Sequence, residues 1–227
     1  LTFDPATRKF SGTPAAGDVG PINVRVTATD PTGGSASDDF ALVVDSSELP
    51  FTETFESLVD ARIQQQSPAF ATTTTNPISG TQSFEATRPN NGSKPVATVN
   101  FSNPSTPASV QNVSVNVSTL PGNGKSLWSN AVVVFDYQSP TNYKFAGVFE
   151  IIGQVVNGKV SYLATKKFNA VSNTTIPLNV SINRTTNQVT LTSGSTSVAH
   201  TYKSIGTGTV GIGTINANAK FDDLHIT

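Results

Sequence analysis

The 227-residue sequence has no cysteine and no methionine, and only 13% of its residues are charged. The absence of cysteine excludes disulfides, thiolate metal sites and a cysteine nucleophile. A net charge of −1 offers no basic field to nucleic acid or to an anionic membrane surface. No apolar run reaches the ~18 residues of a membrane-spanning helix. Because methionine is absent, we expect the chain to be part of a longer or processed polypeptide.

Serine, threonine and asparagine occupy positions where lysine and glutamate are usual in cytosolic enzymes. Such a surface is typical of extracellular β-proteins. A secreted eukaryotic protein of this size would usually carry disulfides, whereas many secreted bacterial proteins do not. The composition therefore favours an extracellular or cell-surface bacterial protein.

Short β-branched runs separated by Gly, Pro, Asn and Asp dominate the sequence, and helical periodicity is almost absent. Residues 56–66 could form one short helix or, equally well, a loop. Residues 22–28 and 38–45 predict a β-hairpin, and about ten further strands are expected beyond residue 51. The stretch 71–95 is expected to be a long loop without regular structure. Strands without intervening helices predict an all-β chain built from antiparallel sandwiches.

The first 45 residues contain three connected signatures, LTFDPATRKFSGTP, GDVGPINVRVTATD and ASDDFALVV. They resemble the C-terminal half of the dystroglycan-type cadherin-like family, an immunoglobulin-like domain of bacterial surface proteins. The resemblance implies a partial cadherin/Ig-like β-sandwich over 1–45, whose first half is missing, and a linker at 46–50. Half a sandwich exposes an unpaired edge. We expect missing sequence or a neighbouring chain to complete it; alternatively, the hairpin packs on the second domain.

Residues 51–227 contain FTETFES, VVVFDYQSPTNYKFAGVFEI and KFDDLHIT in that order. Together these motifs resemble a concanavalin A-like jelly roll of the laminin-G, lectin and glucanase type. The resemblance implies an antiparallel jelly-roll β-sandwich in which the first and last strands pair. It also implies a core position for four apolar residues, Phe51, Phe55, Phe221 and Leu224.

The sequence argues against catalysis. Retaining glycosidases need two carboxyl groups about 5 Å apart. Glu53 and Glu56 are three residues apart and Asp222 and Asp223 are adjacent, so each pair faces opposite sides of a strand. YKFAG is similar to a strand of alginate lyases, but the Arg-rich and Gln-x-His strands of that family are absent. We therefore expect the chain not to be an enzyme.

Two groups of carboxylates are candidates for calcium, a cation that takes oxygen ligands. The resemblances imply them, since cadherin-like domains and related jelly rolls often hold calcium at such positions. The candidates are Asp30, Asp38 and Asp39 in the first domain, and Glu53 or Glu56 with Asp222 or Asp223 in the second. The alternatives are an Asx turn at Asp30 and solvated charges on edge strands.

Sugar sites combine aromatic faces with a few fixed polar groups. In the stretch 142–152, one face is predicted to join the inter-sheet core through Tyr143, Phe145, Phe149 and Ile151. Lys144 and Glu150 would then line the opposite, concave face and contact glycan. Trp128 suits a sugar platform or partly buried packing. Tyr137, Tyr162 and Tyr202 remain open between the same two roles.

Three functions are consistent with these features. The first is a non-catalytic extracellular module of a large bacterial surface protein that binds polysaccharide or cell-surface glycan, or mediates adhesion, and is stabilised by calcium. The second is a structural subunit of a filament, sheath or surface layer that contacts neighbouring domains or subunits. The third is an ancillary module of a polysaccharide-degrading enzyme.

If the carboxylates bind calcium, the ion will stabilise the native state, because a ligand that binds only the folded form must do so. We expect calcium to raise the Tm of the chain by several degrees over a chelator-treated sample. Thermal melts in the two solutions test this, and coincident curves would contradict it.

Overall fold

The structure, a computed structural model, describes residues 2–12, 20–44, 49–88, 94–101, 109–120, 130–149, 151–166 and 173–227. These residues form strands and turns without a helix, which confirms the all-β class. Within them, no helix is long and apolar enough to cross a membrane. The chain divides into two units, Leu1–Glu48 and Leu49–Thr227. The predicted linker at 46–50 falls at this boundary, and its residues 46–48 lie outside the described residues.

The first unit consists of two antiparallel strand pairs. They are β1 (Thr2–Asp4) with β2 (Lys9–Ser11), and β3 (Gly20–Thr29) with β4 (Ser35–Val44). The second pair is the hairpin that the alternation of 22–28 predicts. Its turn is closed by Asp30, whose Oδ1 accepts hydrogen bonds from the N–H groups of Thr32 and Gly34, as in an Asx turn.

One face of this hairpin is apolar and exposed. Ile22 pairs with Leu42 and Val24 pairs with Phe40. Ile22, Phe40 and Leu42 keep 36–41% of their surface accessible. The Phe10 ring packs edge-on against Phe40 at 6.1 Å. Because a two-stranded sheet has no second layer of its own, these side chains stay partly exposed even where the Phe10 ring packs on them.

The second unit contains the remaining strands. They are β5 (Phe51–Glu53), β6 (Ile63–Gln65), β7 (Phe70–Thr73), β8 (Ser83–Ala86), β9 (Val96–Val99), β10 (Val110–Thr119), β11 (Asn130–Ser139), β12 (Asn142–Gly147), β13 (Ile151–Val156), β14 (Lys159–Thr165), β15 (Thr175–Asn183), β16 (Gln188–Ser193), β17 (Thr196–Thr201), β18 (Thr209–Ile215) and β19 (Ala219–Ile226). One sheet has eight strands in the order β17-β16-β15-β10-β19-β8-β7, with β5 also paired to β19. The other has seven, in the order β14-β13-β12-β11-β18-β9-β6.

The two sheets pack face to face over one apolar core. The predicted core residues Phe51, Phe55, Phe221 and Leu224 are all buried in it, as predicted. The rings of Phe55 and Phe84 stack at 5.0 Å. As predicted, the first and last strands of this unit pair, with Phe51 opposite Ile226.

The two sheets differ in their burial patterns. In β15, TIPLNVSIN, exposed and buried residues alternate, as expected for a strand with one face in the core and one in water. In β11, by contrast, every residue from Asn130 to Asp136 is buried. The seven-stranded sheet is therefore apolar on both faces around β11.

Two predictions about local structure are wrong. The stretch 142–152 is not one strand, because β12 ends at Gly147 and its antiparallel partner β13 begins at Ile151. Between them Phe149 has a φ of 69°, a left-handed value that a strand does not allow. The stretch 71–95 is not a loop without regular structure, because it contains β8. For residues 56–66, where helix and loop were both open, the structure has turns followed by the short strand β6.

A buried ion pair lies at one end of the inter-sheet core. The Nζ of Lys144 donates to Oδ2 of Asp136 and lies 5.3 Å from the ring centre of Tyr202. Burial opposes ionisation of Asp136. The hydrogen bonds from Lys144, from the backbone N–H of Gly206 and from Gln138 outweigh it and hold the pKa of this carboxyl below its ordinary value.

We expect Lys144→Met to destabilise the protein by about 3 kcal/mol, because it leaves the Asp136 carboxylate buried without its ammonium partner. Lys159→Met is the matched control, since Lys159 is exposed. Urea unfolding of both variants measures the difference. Equal free energies of unfolding would contradict the importance assigned to this pair.

Candidate functional site

The seven-stranded sheet has one face that points away from the eight-stranded sheet, called the outer face below. Its buried residues form an apolar cluster separate from the inter-sheet core, composed of Val96, Val132, Val134, Tyr143, Phe145, Ile151, Val155 and Ile215. Strand alternation produces this split, because Val133 and Phe135 of the same β11 belong to the inter-sheet core. The seven-stranded sheet thus carries a second apolar face beyond the inter-sheet core.

Tyr162 of β14 lies across the outer face. The Nδ2 of Asn130 donates to its hydroxyl at 3.4 Å, and its ring meets Phe145 edge-on at 6.1 Å. Since β13 and β12 separate β14 from β11, Tyr162 must extend over both strands to reach Asn130. Its surface is 50% exposed. Tyr162 therefore presents a fixed aromatic platform to solvent.

Gly153 makes room for these rings. It pairs with Phe145 on one side and with Tyr162 on the other. A Cβ at Gly153 would lie 2.5 Å from the Phe145 ring, closer than atoms can approach. The glycine therefore lets Phe145 lie against the sheet, where it supports the edge of Tyr162.

Tyr137 and Tyr143 form a second aromatic pair on the same face, with ring centres 5.9 Å apart. Both hydroxyls are buried and find no hydrogen-bond partner in the described part of the chain. The Oδ1 of Asn130 is likewise buried and without a hydrogen-bond partner among the described residues. Burial, and to a lesser extent Tyr137, raises the pKa of Tyr143 well above its ordinary value, so its hydroxyl keeps its proton. Buried polar groups without partners are rare and point to a missing ligand or water.

The outer face of the eight-stranded sheet has different chemistry. A shallow cavity of about 220 Å³ there is lined by polar side chains such as Asn112, Ser114, Asn179 and Thr190. Its described lining contains no Phe, Tyr or Trp, and the one ring among these residues is the imidazole of His225. The cavity therefore lacks a tyrosine platform like the one that Tyr162 provides on the other sheet.

Of the predicted glycan contacts, Lys144 is on the wrong face. It shares its face of β12 with Ala146, which belongs to the inter-sheet core, and its ammonium is paired with Asp136. The predicted core residues Tyr143 and Phe145 lie instead on the outer face. Trp128 and Glu150 lie outside the described residues, so their predicted roles stay predictions.

The first group of calcium candidates does not converge. Asp30 accepts hydrogen bonds within its own turn. Asp38 and Asp39 pair with Val26 and Arg25, so they point to opposite faces of β4. Asp39 also accepts two hydrogen bonds at 2.7 Å from Arg25.

In the second group, the two glutamates stabilise loops. Glu53 accepts hydrogen bonds from the backbone N–H of Phe55 and of Asp60, at 2.6 and 2.7 Å. Glu56 accepts from the N–H and hydroxyl of Thr81. Gly80 has a φ of 53°, which favours glycine, and a Cβ there would lie 2.1 Å from the Glu56 carboxylate, so a larger residue would have to displace that side chain.

The two aspartates of this group lie next to each other at a bulge of β19. Asp222 is fully buried and accepts hydrogen bonds from the Ser79 N–H and the Ser83 hydroxyl. Asp223 accepts from Asn116 Nδ2 at 2.9 Å. Burial raises the pKa of Asp222 above its ordinary value. These carboxylates and hydroxyls are hard oxygen donors of the kind that calcium takes.

Nowhere in the described ranges do three or more Asp, Glu, His or Cys side chains gather as a metal site. The donor set that fits calcium therefore narrows to Asp222 and Asp223 with neighbouring oxygens. Calcium binding stays a prediction.

Comparisons with known proteins bear on both units. The family described as Putative Ig domain matches residues 1–45. No curated protein matches the chain. Among solved structures, the carbohydrate-binding module CBM66 from Bacillus subtilis is similar at a TM-score of 0.55 and 14% identity, over 73% of this chain and 94% of that one. Lectin II from Ulex europaeus has a TM-score of 0.51 and 11% identity, over 79% and 98%.

The fold is the jelly roll of carbohydrate-binding modules and lectins. A xylan beta-1,4-xylosidase from Bacillus halodurans is also similar, at a TM-score of 0.55 and 12% identity, over 88% of this chain and 46% of that one. At these identities the likeness concerns the fold alone. The jelly roll that the sequence motifs predict is thus confirmed, whereas the dystroglycan-type cadherin-like assignment stays a prediction.

The sequence did not single out Asn130, and it left open whether Tyr162 is a sugar platform or partly buried packing. The alternation of KVSYLAT places Val160 and Tyr162 on one face of β14, a signal that was available. The contact of Tyr162 with Asn130 could not be predicted in this way, because it depends on the order of four strands in the sheet.

Asp222→Asn tests the acidic bulge. The folded-state pKa of Asp222 is raised, so its contribution to stability is present at low pH and is lost as pH rises through that pKa. We expect the variant to be more stable than the wild type at neutral pH in chelator, and the difference to vanish below about pH 3.8.

In calcium the wild type should be more stable than Asp222→Asn, since only the wild type keeps the carboxylate at position 222. Thermal melts from pH 3.5 to 7, in chelator and in calcium, measure both effects, with Asp38→Asn as an exposed control. A destabilised variant at neutral pH in chelator would contradict the first expectation. An equal response of both proteins to calcium would contradict the second.

Proposed function

We propose that the chain is a non-catalytic carbohydrate-binding module whose outer face contacts the sugar. The observation that carries the proposal is Tyr162, a half-exposed ring fixed by Asn130 and Phe145. Sugar rings stack on aromatic faces, and their hydroxyls bind fixed polar groups. Asn130, whose amide donates to the Tyr162 hydroxyl, is the fixed polar group beside this ring.

The names of the similar structures support this function. One is described as a carbohydrate-binding module and another as a lectin. The chemistry of the outer face agrees with a non-catalytic role, because it carries no carboxylate in the described part of the chain. Without a pair of carboxyl groups it lacks the acid and base that retaining and inverting glycosidases use.

The wider setting that we propose is a bacterial surface or secreted protein. The Ig-type match over residues 1–45 supports a spacer or adhesion repeat of the dystroglycan-type cadherin-like kind beside the binding module. Low charge and the Ser, Thr and Asn-rich composition support an extracellular location, and the absence of cysteine favours a bacterial source among secreted proteins. Calcium would stiffen the module at Asp222 and Asp223.

A second function is favoured by the exposed apolar face of β3 and β4. Ile22, Phe40 and Leu42 would contact a neighbouring domain or subunit, as in a filament, sheath or surface layer. Similarity to the xylosidase supports the third function, an ancillary module of a polysaccharide-degrading enzyme.

Tyr162→Ala tests the proposed function. We expect at least a tenfold loss of affinity for the bound polysaccharide, since the variant removes both a stacking surface and an anchored hydroxyl worth roughly 1.4 kcal/mol or more. Stability should change by less than about 1 kcal/mol, because the side chain is half exposed. Affinity gel electrophoresis with a panel of neutral and acidic polysaccharides measures the affinity.

The matched control is Thr190→Ala, which truncates a half-buried residue that lines the cavity of the eight-stranded sheet and should leave binding unchanged. If Thr190→Ala weakens binding and Tyr162→Ala does not, the sugar is bound on the other sheet. A panel in which no polysaccharide retards the wild type would contradict the function itself.

A further inference from the structure

A cavity of about 260 Å³ lies against the outer side of the eight-stranded sheet, separate from the cavity beside Thr190. Three strands of this sheet supply Ser118, Thr175 and Lys220 to its lining. Ser118 pairs with both of the others, so the three side chains form one row across the sheet. The volume is close to the lower end of cavities that take small molecules, roughly 300 Å³.

This row faces away from the inter-sheet core. The chain neighbours of its members, Val117, Ile176 and Phe221, belong to that core, and successive residues of a strand point to opposite faces. Residues 76–78, from the segment between β7 and β8, contribute further lining. Thr175 is exposed, so the cavity is reached from solvent.

A buried ammonium group belongs to this lining. Lys220 is the one charged residue among the described residues that line the cavity, and only 4% of its surface is accessible. Its Nζ donates to the carbonyls of Thr75 and Asn76. A lysine ammonium has three N–H groups, so two carbonyls leave one N–H and the positive charge without a partner.

The neighbouring carboxylates do not neutralise Lys220. Glu85 lies opposite Lys220 on β8. Asp222, two residues further along β19, accepts from Ser79 and Ser83 instead. No carboxylate in the described part of the chain forms an ion pair with Lys220. Because a buried charge without a counter-ion costs free energy, an anion in this cavity would be stabilised.

Ser118 adds a hydrogen-bond donor beside this charge. Its side chain keeps 8% of its surface accessible and makes no hydrogen bond with the described residues. Its oxygen is nevertheless not sealed off from the cavity. A hydroxyl and an ammonium on adjacent strands suit the oxygens of one anionic group, since hydrogen bonds to ionised acceptors are the strong ones.

We infer that this cavity binds an oxyanion, a carboxylate or sulfate group, with Lys220 as the cation and Ser118 as a hydrogen-bond donor. The group belongs to an acidic sugar or is a free small anion, since both present the same oxygens. The site goes beyond the proposed function, because it lies on the other sheet from Tyr162 and does not need that ring.

An NMR titration of the 15N-labelled whole chain tests the inference, in chelator so that calcium at Asp222 and Asp223 does not interfere. The sugar acids are glucuronate, galacturonate and glucose 6-sulfate, the free anions are acetate and sulfate, and glucose and galactose are the matched neutral sugars. We expect the amide signals of Ser118, Thr175 and Lys220 to shift saturably with an oxyanion and not with the neutral sugars.

Two variants and a control locate the bound group. Ser118→Ala should lower the affinity for the oxyanion about tenfold, as expected for a hydrogen bond to a charged group, and it leaves the contacts of Lys220 with its loop intact. Lys220→Met should abolish binding, whereas Lys220→Arg keeps the charge and should retain part of it. Ser114→Ala is the matched control, since Ser114 lies on the same strand and lines the other cavity.

The outcomes identify the source of the oxyanion or overturn the inference. A sugar acid that binds at least tenfold more tightly than acetate and sulfate supports the site and makes an acidic sugar its ligand. Equal affinities support the site and make a free anion its ligand. No saturable shift with any oxyanion, an equal response to the neutral sugars, or unchanged affinity in Ser118→Ala and Lys220→Met overturns the inference. Tyr162→Ala should not alter oxyanion binding, so this test and that of the proposed function fail separately.

Discussion

The second unit depends on burial of its seven-stranded sheet from both sides. Val133, Phe135 and Ala146 pack against the eight-stranded sheet, whereas Val134 and Phe145 point the other way into a separate cluster. Because neither face of β11 and β12 is polar, both need cover. The inner face is covered by the second sheet. The outer face is covered in part by its own aromatic side chains, and that packing leaves Tyr162 displayed as a platform.

Polar contacts hold other parts of the sandwich in place. At one end of the core, Asp136 and Lys144 neutralise each other. Within the eight-stranded sheet, side chains of β19 hold the loop between β7 and β8: Lys220 donates to the Thr75 and Asn76 carbonyls, and Asp222 accepts from Ser79. Such polar anchoring fixes loops without adding to the apolar core. A binding face is most selective when the elements beneath it are fixed in this way.

Sequence alone predicted the strands with one wet face, such as β15 and β16, because their alternation is clean. For β12 it predicted which residues share a face, but not which of the two faces points into the inter-sheet core. Tyr143 and Phe145 were expected inside, yet they lie on the outer face, and the small side chain of Ala146 joins the inter-sheet core instead. The turn at Phe149, where the chain reverses between β12 and β13, was not predicted because apolar residues continue on both sides of it in the sequence. The contact of Asn130 with Tyr162 depends on strand order, which no local pattern reveals.

The central claim is that glycan binds the outer face of the seven-stranded sheet, and the tyrosines report on it directly. The chain has four tyrosines; Tyr137, Tyr143 and Tyr162 lie on that face, and Tyr202 packs in the inter-sheet core. The decisive measurement is an NMR titration of the 13C-tyrosine-labelled chain with the neutral oligosaccharide that binds best. The account predicts that three ring signals shift and that of Tyr202 does not. Shifts confined to Tyr202, or none at saturating ligand, would contradict it.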